Sequence, residues 1–241
     1  MPLNGKTILI TGSARRIGRA LALAVAKAGG DLIIHHNNSH ESAEHTRQEI
    51  LDLGRKAQII QADLSDTEST SRFLEKVFSR DEIYGLVNNA SIFSTLSWSE
   101  THLDDWNEHL AINLTAPFLL SQAFGRSRSG GQKGRIINIL DWRALRPGSD
   151  HFPYTISKAG LAALTKSMAI ALAPNINVNG IALGAVLPPS DRGSSENILS
   201  YSPIPRWAEL SEVEETLLFL LSGPTYITGE IIHLDGGRHL T

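Results

Sequence analysis

Tyr154 and Lys158 stand four residues apart in Tyr154-Thr155-Ile156-Ser157-Lys158. On a helix this spacing puts both side chains on one face. A free phenol has a pKa near ~10 and exchanges protons poorly at neutrality. A neighbouring ammonium favours phenolate and lowers that value, so the two together read as an acid–base device. The tetrad alone is common by chance, and its weight comes from its surroundings. Near the other end of the chain lies Thr11-Gly12-Ser13-Ala14-Arg15-Arg16-Ile17-Gly18. Gly12 permits a tight turn, and Gly18 lets a following helix pack closely on a strand. Arg15, Arg16, Ile17 and Gly18 then open a helix whose N-terminal N–H groups and dipole suit a pyrophosphate. The pattern expects a middle glycine where Arg16 stands. That guanidinium can pair with the phosphates or reach an anionic or planar substrate.

The elements that would position these groups alternate along the chain. β-branched, apolar runs occur at Thr7–Thr11, Asp31–His35, Ala57–Gln61, Ile83–Asn88, Arg135–Leu140, Asn177–Leu183 and Glu230–Leu234. Such runs suit strands buried on both faces of a parallel sheet. Ile17, Ala20, Leu21, Ala24, Val25 and Ala28 recur at helical spacing. Capping boxes at Ser65/Glu68, Thr101/Asp104 and Ser211/Glu214 predict further helix starts. Gly54 is placed to end the helix that starts near Ser39. The alternation predicts an α/β fold: one Rossmann-type, doubly wound parallel sheet with helices on both faces, forming a single domain over 1–241. The phosphate loop then follows the first strand, and Tyr154 opens the helix after the fifth. The Pro-, Ser- and Gly-rich segment 187–204 reads as a substrate loop at the sheet's carboxyl edge.

The residues after the second strand bear on the choice of dinucleotide. An NAD enzyme places Asp or Glu there for the ribose hydroxyls. Here the run is His35-His36-Asn37-Asn38-Ser39-His40, with no carboxylate before Glu41. His36, Asn38 and Ser39, helped by Arg15, can accommodate a 2′-phosphate, so NADP(H) is preferred, with NAD(H) as the alternative. Asp63, followed by Leu64 past the third strand, can border the adenine and accept from its amino group, or can serve a helix cap. No carboxylate completes a metal cluster with the histidines, so no metal is expected.

The bulk numbers exclude other classes. The 241 residues carry 22 Lys+Arg against 25 Asp+Glu, a net charge of −3. That gives no drive toward nucleic acid or an anionic membrane. With no cysteine, disulfides, thiol catalysis and Cys-ligated zinc are excluded. No apolar run reaches the ~20 residues of a membrane span, and no secretory signal opens the sequence. A cytoplasmic location is expected.

As a set, Thr11–Gly18, Asn88-Asn89-Ala90, Asn113, Tyr154-x-x-x-Lys158, Val178-Asn179 and Ile227-Thr228-Gly229 with Asp235-Gly236-Gly237 resemble a short-chain dehydrogenase/reductase over nearly the whole chain. The resemblance implies that Tyr154 is the proton donor and that Lys158 binds the nicotinamide ribose and lowers the tyrosine pKa. It implies that Asn113 supports a water in a proton relay, that Asn88, Asn89 and Ala90 line the cofactor, and that the protein is a homotetramer. The family's usual serine, thirteen residues before the tyrosine, is Asp141 here. An ionised carboxylate only accepts hydrogen bonds and would repel a developing oxyanion. A protonated or proton-sharing one suits a C=N bond in a ring bearing N–H groups. Ser91 replaces the glycine usual after Asn-Asn-Ala, and Phe93 could stack on a flat heteroaromatic ring. With Arg16, these departures resemble the pteridine reductase branch, including bacterial dihydromonapterin reductases, in which residues matching Arg16, Ser91, Phe93, Asp141 and Tyr154 surround the pterin. The expected activity is NADPH-dependent reduction of a dihydropterin; general carbonyl or 3-oxoacyl reduction is the alternative, and a non-catalytic dinucleotide-binding module a third. Taken singly, Arg16 could be a phosphate ligand only, Phe93 a core aromatic, and Asp141 a structural carboxylate paired to Arg143 or Arg146.

Overall fold

The computed structural model describes residues 1–79, 83–128, 131–188 and 199–241. Seven strands form one parallel sheet: β1 (Thr7–Ile10), β2 (Asp31–His36), β3 (Ala57–Gln61), β4 (Ile83–Asn88), β5 (Gly134–Asp141), β6 (Ile176–Leu183) and β7 (Ile231–Leu234). Every strand read from the sequence is present, with ends within one residue of those expected. The strand order is β3-β2-β1-β4-β5-β6-β7. The chain therefore reverses its winding between β1 and β4, which opens a crevice beyond their carboxyl ends.

Period-two alternation explains why the strands are apolar throughout. Ile8 and Ile10 of β1 face one side, where Leu21 and Val25 of α1 (Arg16–Lys27), Ile50 of α2 (His40–Asp52) and Leu217 of α7 (Leu210–Ser222) cover them. Leu9 between them faces the other side. There Phe73 of α3 (Thr67–Phe78), Leu120 and Phe124 of α5 (Ala116–Arg126) and Ala169 of α6 (Phe152–Leu172) complete the second layer. With both faces covered, no strand position needs a polar residue for water. Among the described residues, no helix is long and apolar enough to cross a membrane.

The expected helix starts shift by one or two residues, because each hydroxyl chosen as a cap is spent elsewhere. Ser65 donates to Asp63 Oδ1 at 2.7 Å, and Asp66 caps α3 by accepting from Ser69 N. Thr101 donates to Ser97 O, and α4 (Leu103–Leu110) starts with Asp105 accepting from His102 N. At α7 the box runs between Glu209 and Glu212, not Ser211 and Glu214. Gly54 does end α2, at φ +74, where its N–H donates to Leu51 O. Of the expected substrate loop, 189–198 lie outside the described residues; Leu187, Pro188 and 199–204 lie within them.

Candidate active site

The phosphate loop folds as its glycines dictate. Gly12 has φ +63, and a Cβ on Gly18 would stand 2.1 Å from Gly12 O and 2.7 Å from Asn89 Nδ2. Only a glycine lets α1 start this close to the turn. Buried Thr11 accepts from Asn89 N (2.9 Å) and Ala90 N (3.0 Å) with its hydroxyl, and Asn89 Nδ2 donates back to Thr11 O and Gly12 O. Asn89 and Ala90 thus hold the loop from the β4 side. Asn88 is buried; its Nδ2 donates to Asn138 Oδ1 of β5 (2.7 Å) and to Ser121 Oγ of α5, while its Oδ1 has no partner among the described residues. On the β2 side, His35 accepts from Gly12 N at Nδ1 (3.0 Å) and bonds Ala62 O through Nε2 (3.1 Å). Burial lowers its pKa to about 4, so it is neutral, with the proton on Nε2.

These surroundings fit a dinucleotide. No side chain caps α1 and no acidic residue lies in its first turn, so its N-terminus keeps an unopposed positive end. Arg15 is exposed beside it. Arg16 takes φ +54, a left-handed backbone costing a side-chain residue on the order of 1–2 kcal/mol. Its Nη2 donates to Pro188 O at 2.6 Å, tying the phosphate loop to the start of the 187–204 segment. Ile17 is half-buried in the first turn. A cavity of about 340 Å³, lined by Ala14, Arg15, Arg16, Arg19, Glu41, Ser42 and His45, opens on the α2 side. His36 is buried, and its Nε2 has no partner among the described residues. Asn38 is exposed, and Ser39 precedes α2 without capping it by its side chain. Asp63 Oδ1 accepts from Ser65 N and Oγ, which holds the carboxyl below its ordinary range. The α3 cap is Asp66 instead, so Asp63 is not the helix cap. Leu64 is a core residue.

Across the crevice, the acid–base groups gather at the end of β5 and the start of α6. Tyr154 is buried, and its hydroxyl donates to Asp141 Oδ2 at 3.3 Å. Asp141 Oδ1 accepts from Arg143 N at 2.8 Å and meets Arg143 Nη1 at 3.5 Å. Arg146 instead reaches Arg238 O. Asp141 is therefore both Arg143's partner and the tyrosine's neighbour. Burial raises the Asp141 carboxyl above its ordinary range, against the pull of Arg143 and Lys158. Lys158 is also buried, and its Nζ donates to Ile139 O at 2.8 Å. Burial brings its pKa down to about 8. The expectation that the ammonium lowers the tyrosine pKa is corrected here. Burial and then the adjacent Asp141 raise the phenol well above its ordinary value, and one of the three ammonium donors is used on Ile139 O.

Asn113 lies in a π-helical turn (Ala111–Thr115) between α4 and α5, an irregularity frequent at functional sites. Its Oδ1 accepts from Ile92 N; its Nδ2 donates to Ile92 O and to Ser157 Oγ, which in turn donates to Tyr154 O. Asn113 therefore fixes the segment after β4 against the first turn of α6. Phe93, on that segment, stacks on His151 (centroids 4.0 Å, 21°) and meets the Tyr154 ring in a T-shaped contact (4.7 Å, 88°). One face of Phe93 is thus taken by His151. Ser91 is exposed next to them. Ser157 and His151 were not singled out from the sequence, and Arg143 only as a partner for Asp141. Their roles depend on contacts across elements that no spacing reveals, although His151 stands just before the helix-opening tyrosine.

A family model described as enoyl-(acyl carrier protein) reductase matches residues 12–239. A 3-oxoacyl-[acyl-carrier-protein] reductase FabG of Aquifex aeolicus is 38% identical over 98% of both chains. The chain belongs to the short-chain dehydrogenase/reductase family. Two solved structures are also similar to it. FolM alternative dihydrofolate reductase 1 from Brucella canis, complexed with NADP, is 35% identical with TM-score 0.91, covering 100% of this chain and 97% of that one. A short-chain dehydrogenase from Burkholderia cenocepacia, in complex with NADP, is 32% identical with TM-score 0.91 over 99% of each. The curated relative and the first solved structure carry different substrates in their names, so membership of the short-chain dehydrogenase/reductase family leaves the substrate to be argued from the site.

Proposed function

We propose that this short-chain dehydrogenase/reductase uses NADPH to reduce a dihydropterin, such as dihydromonapterin, dihydrobiopterin or dihydrofolate, to its tetrahydro form. The observation that carries this is the Tyr154–Asp141 pair. A carboxyl stands where a ketone reductase has a hydroxyl donor, and both members hold their protons more tightly than free groups do. Reduction of a C=N bond consumes one hydride and one proton. A bound nicotinamide, its ribose held by Lys158, would supply the hydride to the ring carbon. Tyr154 Oη, Asp141 Oδ2 or a water they hold delivers the proton to the neighbouring nitrogen, and solvent restores it. Asp141 also accepts from ring N–H groups, which a ketone lacks. Phe93 offers its unstacked face to the flat ring, and Ser91 and Arg16 border it. Asn113 and Lys158 hold Tyr154's surroundings, and Lys158 binds the nicotinamide ribose. Arg15, Ser39 and the carboxylate-free 36–39 run support NADP(H) over NAD(H), in keeping with the NADP in the two solved relatives. Pro188, tethered by Arg16, borders the pocket on its outer side. The working form is a homotetramer, supported by the exposed apolar Leu103, Phe118 and Ile170 on α4, α5 and α6.

A second reading, 3-oxoacyl reduction, is favoured by the 38% identity to the Aquifex aeolicus enzyme. Asp141→Ser separates the two. On the pterin reading, the variant loses pterin turnover by about a hundredfold and keeps its KM for NADPH. Undiminished pterin turnover would remove Asp141 from the chemistry.

A further inference from the structure

Arg143 lies between two carboxylates and serves them unequally. Its Nη2 and Nε both donate to Asp150 Oδ2, at 2.7 and 3.2 Å. Its only side-chain contact with Asp141 is Nη1 to Oδ1 at 3.5 Å, at the outer limit of a hydrogen bond. The guanidinium also lies over the Trp142 ring, 4.7 Å from its centroid, which fixes its plane. Asp150 is half-exposed, whereas the Arg143 and Asp141 side chains are largely covered. The charge nearest the site's carboxyl is therefore turned toward the rim.

We propose that Asp150 is a positioning residue that holds the Arg143 guanidinium away from Asp141, so that the two do not close into a bidentate ion pair and the Asp141 carboxyl stays available to the site's proton transfer. Asp141 is faced by Arg143 from the turn after β5 and by Tyr154 and Lys158 from α6. Asp150 is faced by Arg143 and by His151, 3.9 Å away. Burial pushes Asp141 up while Arg143 pulls it down; Asp150, bonded by the same guanidinium, lies below its ordinary range. A bidentate pair with Arg143 would hold the Asp141 carboxyl ionised and acceptor-only. Nothing in the usual chemistry of the fold requires this arrangement, because a serine in place of Asp141 has no charge to tune.

The proposal rests on the reading of Asp141 as a proton carrier, and it makes a prediction of sign. Asp150→Asn removes a negative charge and releases Arg143, so Asp141 should titrate about one pH unit lower. Arg143→Met removes the positive charge, so Asp141 should titrate about one pH unit higher. Arg143→Lys should restore most of the original value. The Asp141 carboxyl is followed by ¹³C NMR of Cγ in the substrate-free protein, assigned by its loss in Asp141→Asn. The alkaline limb of kcat for dihydropterin reduction, where the protonated carboxyl is lost, should move in the same two directions. Shifts of the same sign in both variants, or no shift in either, would overturn the proposal, since a packing role gives no opposed pair. The titration needs no substrate. Opposed shifts in a protein that does not turn over dihydropterins would retain this role for Asp150 and reject the pterin reading. Dihydropterin turnover without the shifts would do the reverse.

Discussion

Lys158→Met should make the protein's stability depend differently on pH, by an amount that the structure sets. Lys158 is 2% exposed, and burial lowers its pKa from 10.5 to about 8. The folded chain thus binds this proton more weakly than the unfolded chain. For a base shifted this way, the stabilising contribution is full above the unfolded pKa of 10.5 and is lost as pH falls through about 8. At about 1.4 kcal/mol per pH unit, the gap corresponds to a penalty of about 3 kcal/mol at neutrality. The variant also loses the bond from Nζ to Ile139 O, worth about 0.5–1.5 kcal/mol even to a neutral amine, so its stability at pH 7 alone decides little. The pH dependence decides more. Between pH 7 and pH 10, wild type should gain about 2.5 kcal/mol relative to Lys158→Met. Tyr154 is raised well above its ordinary value and does not titrate in this window. Urea unfolding of both proteins at pH 7, 8, 9 and 10, at one protein concentration, measures the difference. A difference that stays constant within about 0.5 kcal/mol across the range would refute the argument that the buried ammonium destabilises the fold. The variant should lose reductase activity by about a hundredfold or more, the loss expected where a strained site trades stability for function.

Two further substitutions probe the two sides of the crevice. Phe93→Ala removes the stacking face and should raise the pterin KM about three- to tenfold, on a loss of ~1 kcal/mol, with the NADPH KM unchanged; an unchanged pterin KM would remove the stacking role. Gly18→Ala puts a Cβ 2.1 Å from Gly12 O and should cost about 1–3 kcal/mol of stability while raising the NADPH KM. Thermal unfolding and cofactor titration check both, and a fully stable variant with native cofactor affinity would contradict the close-approach account.

The strands were legible because burial on both faces leaves an unbroken apolar run, and the phosphate loop because Gly12 and Gly18 are backbone requirements. Ile17 to Ala28 likewise gave the buried face of α1. The helix starts were less legible. Ser-x-x-Glu patterns recur freely, and the hydroxyls of Ser65, Thr101 and Ser211 each found a nearer partner. The Tyr154–Lys158 pair was found by spacing, but its electrostatics were not. Spacing cannot show that Lys158 turns to Ile139 O or that Asp141 meets the phenol. Nor can it show that Asn113 sits in a π-helical turn bonded to Ile92 and Ser157, or that Arg143 is shared between Asp141 and Asp150, because each of these joins residues from different elements.

The most direct test is NADPH consumption by the purified protein with dihydromonapterin, dihydrobiopterin, dihydrofolate and a 3-oxoacyl substrate in parallel, repeated with NADH. The account predicts kcat/KM on at least one dihydropterin about a hundredfold or more above that on the 3-oxoacyl substrate, with NADPH preferred to NADH. Turnover of the 3-oxoacyl substrate with none of the dihydropterins reduced would contradict it.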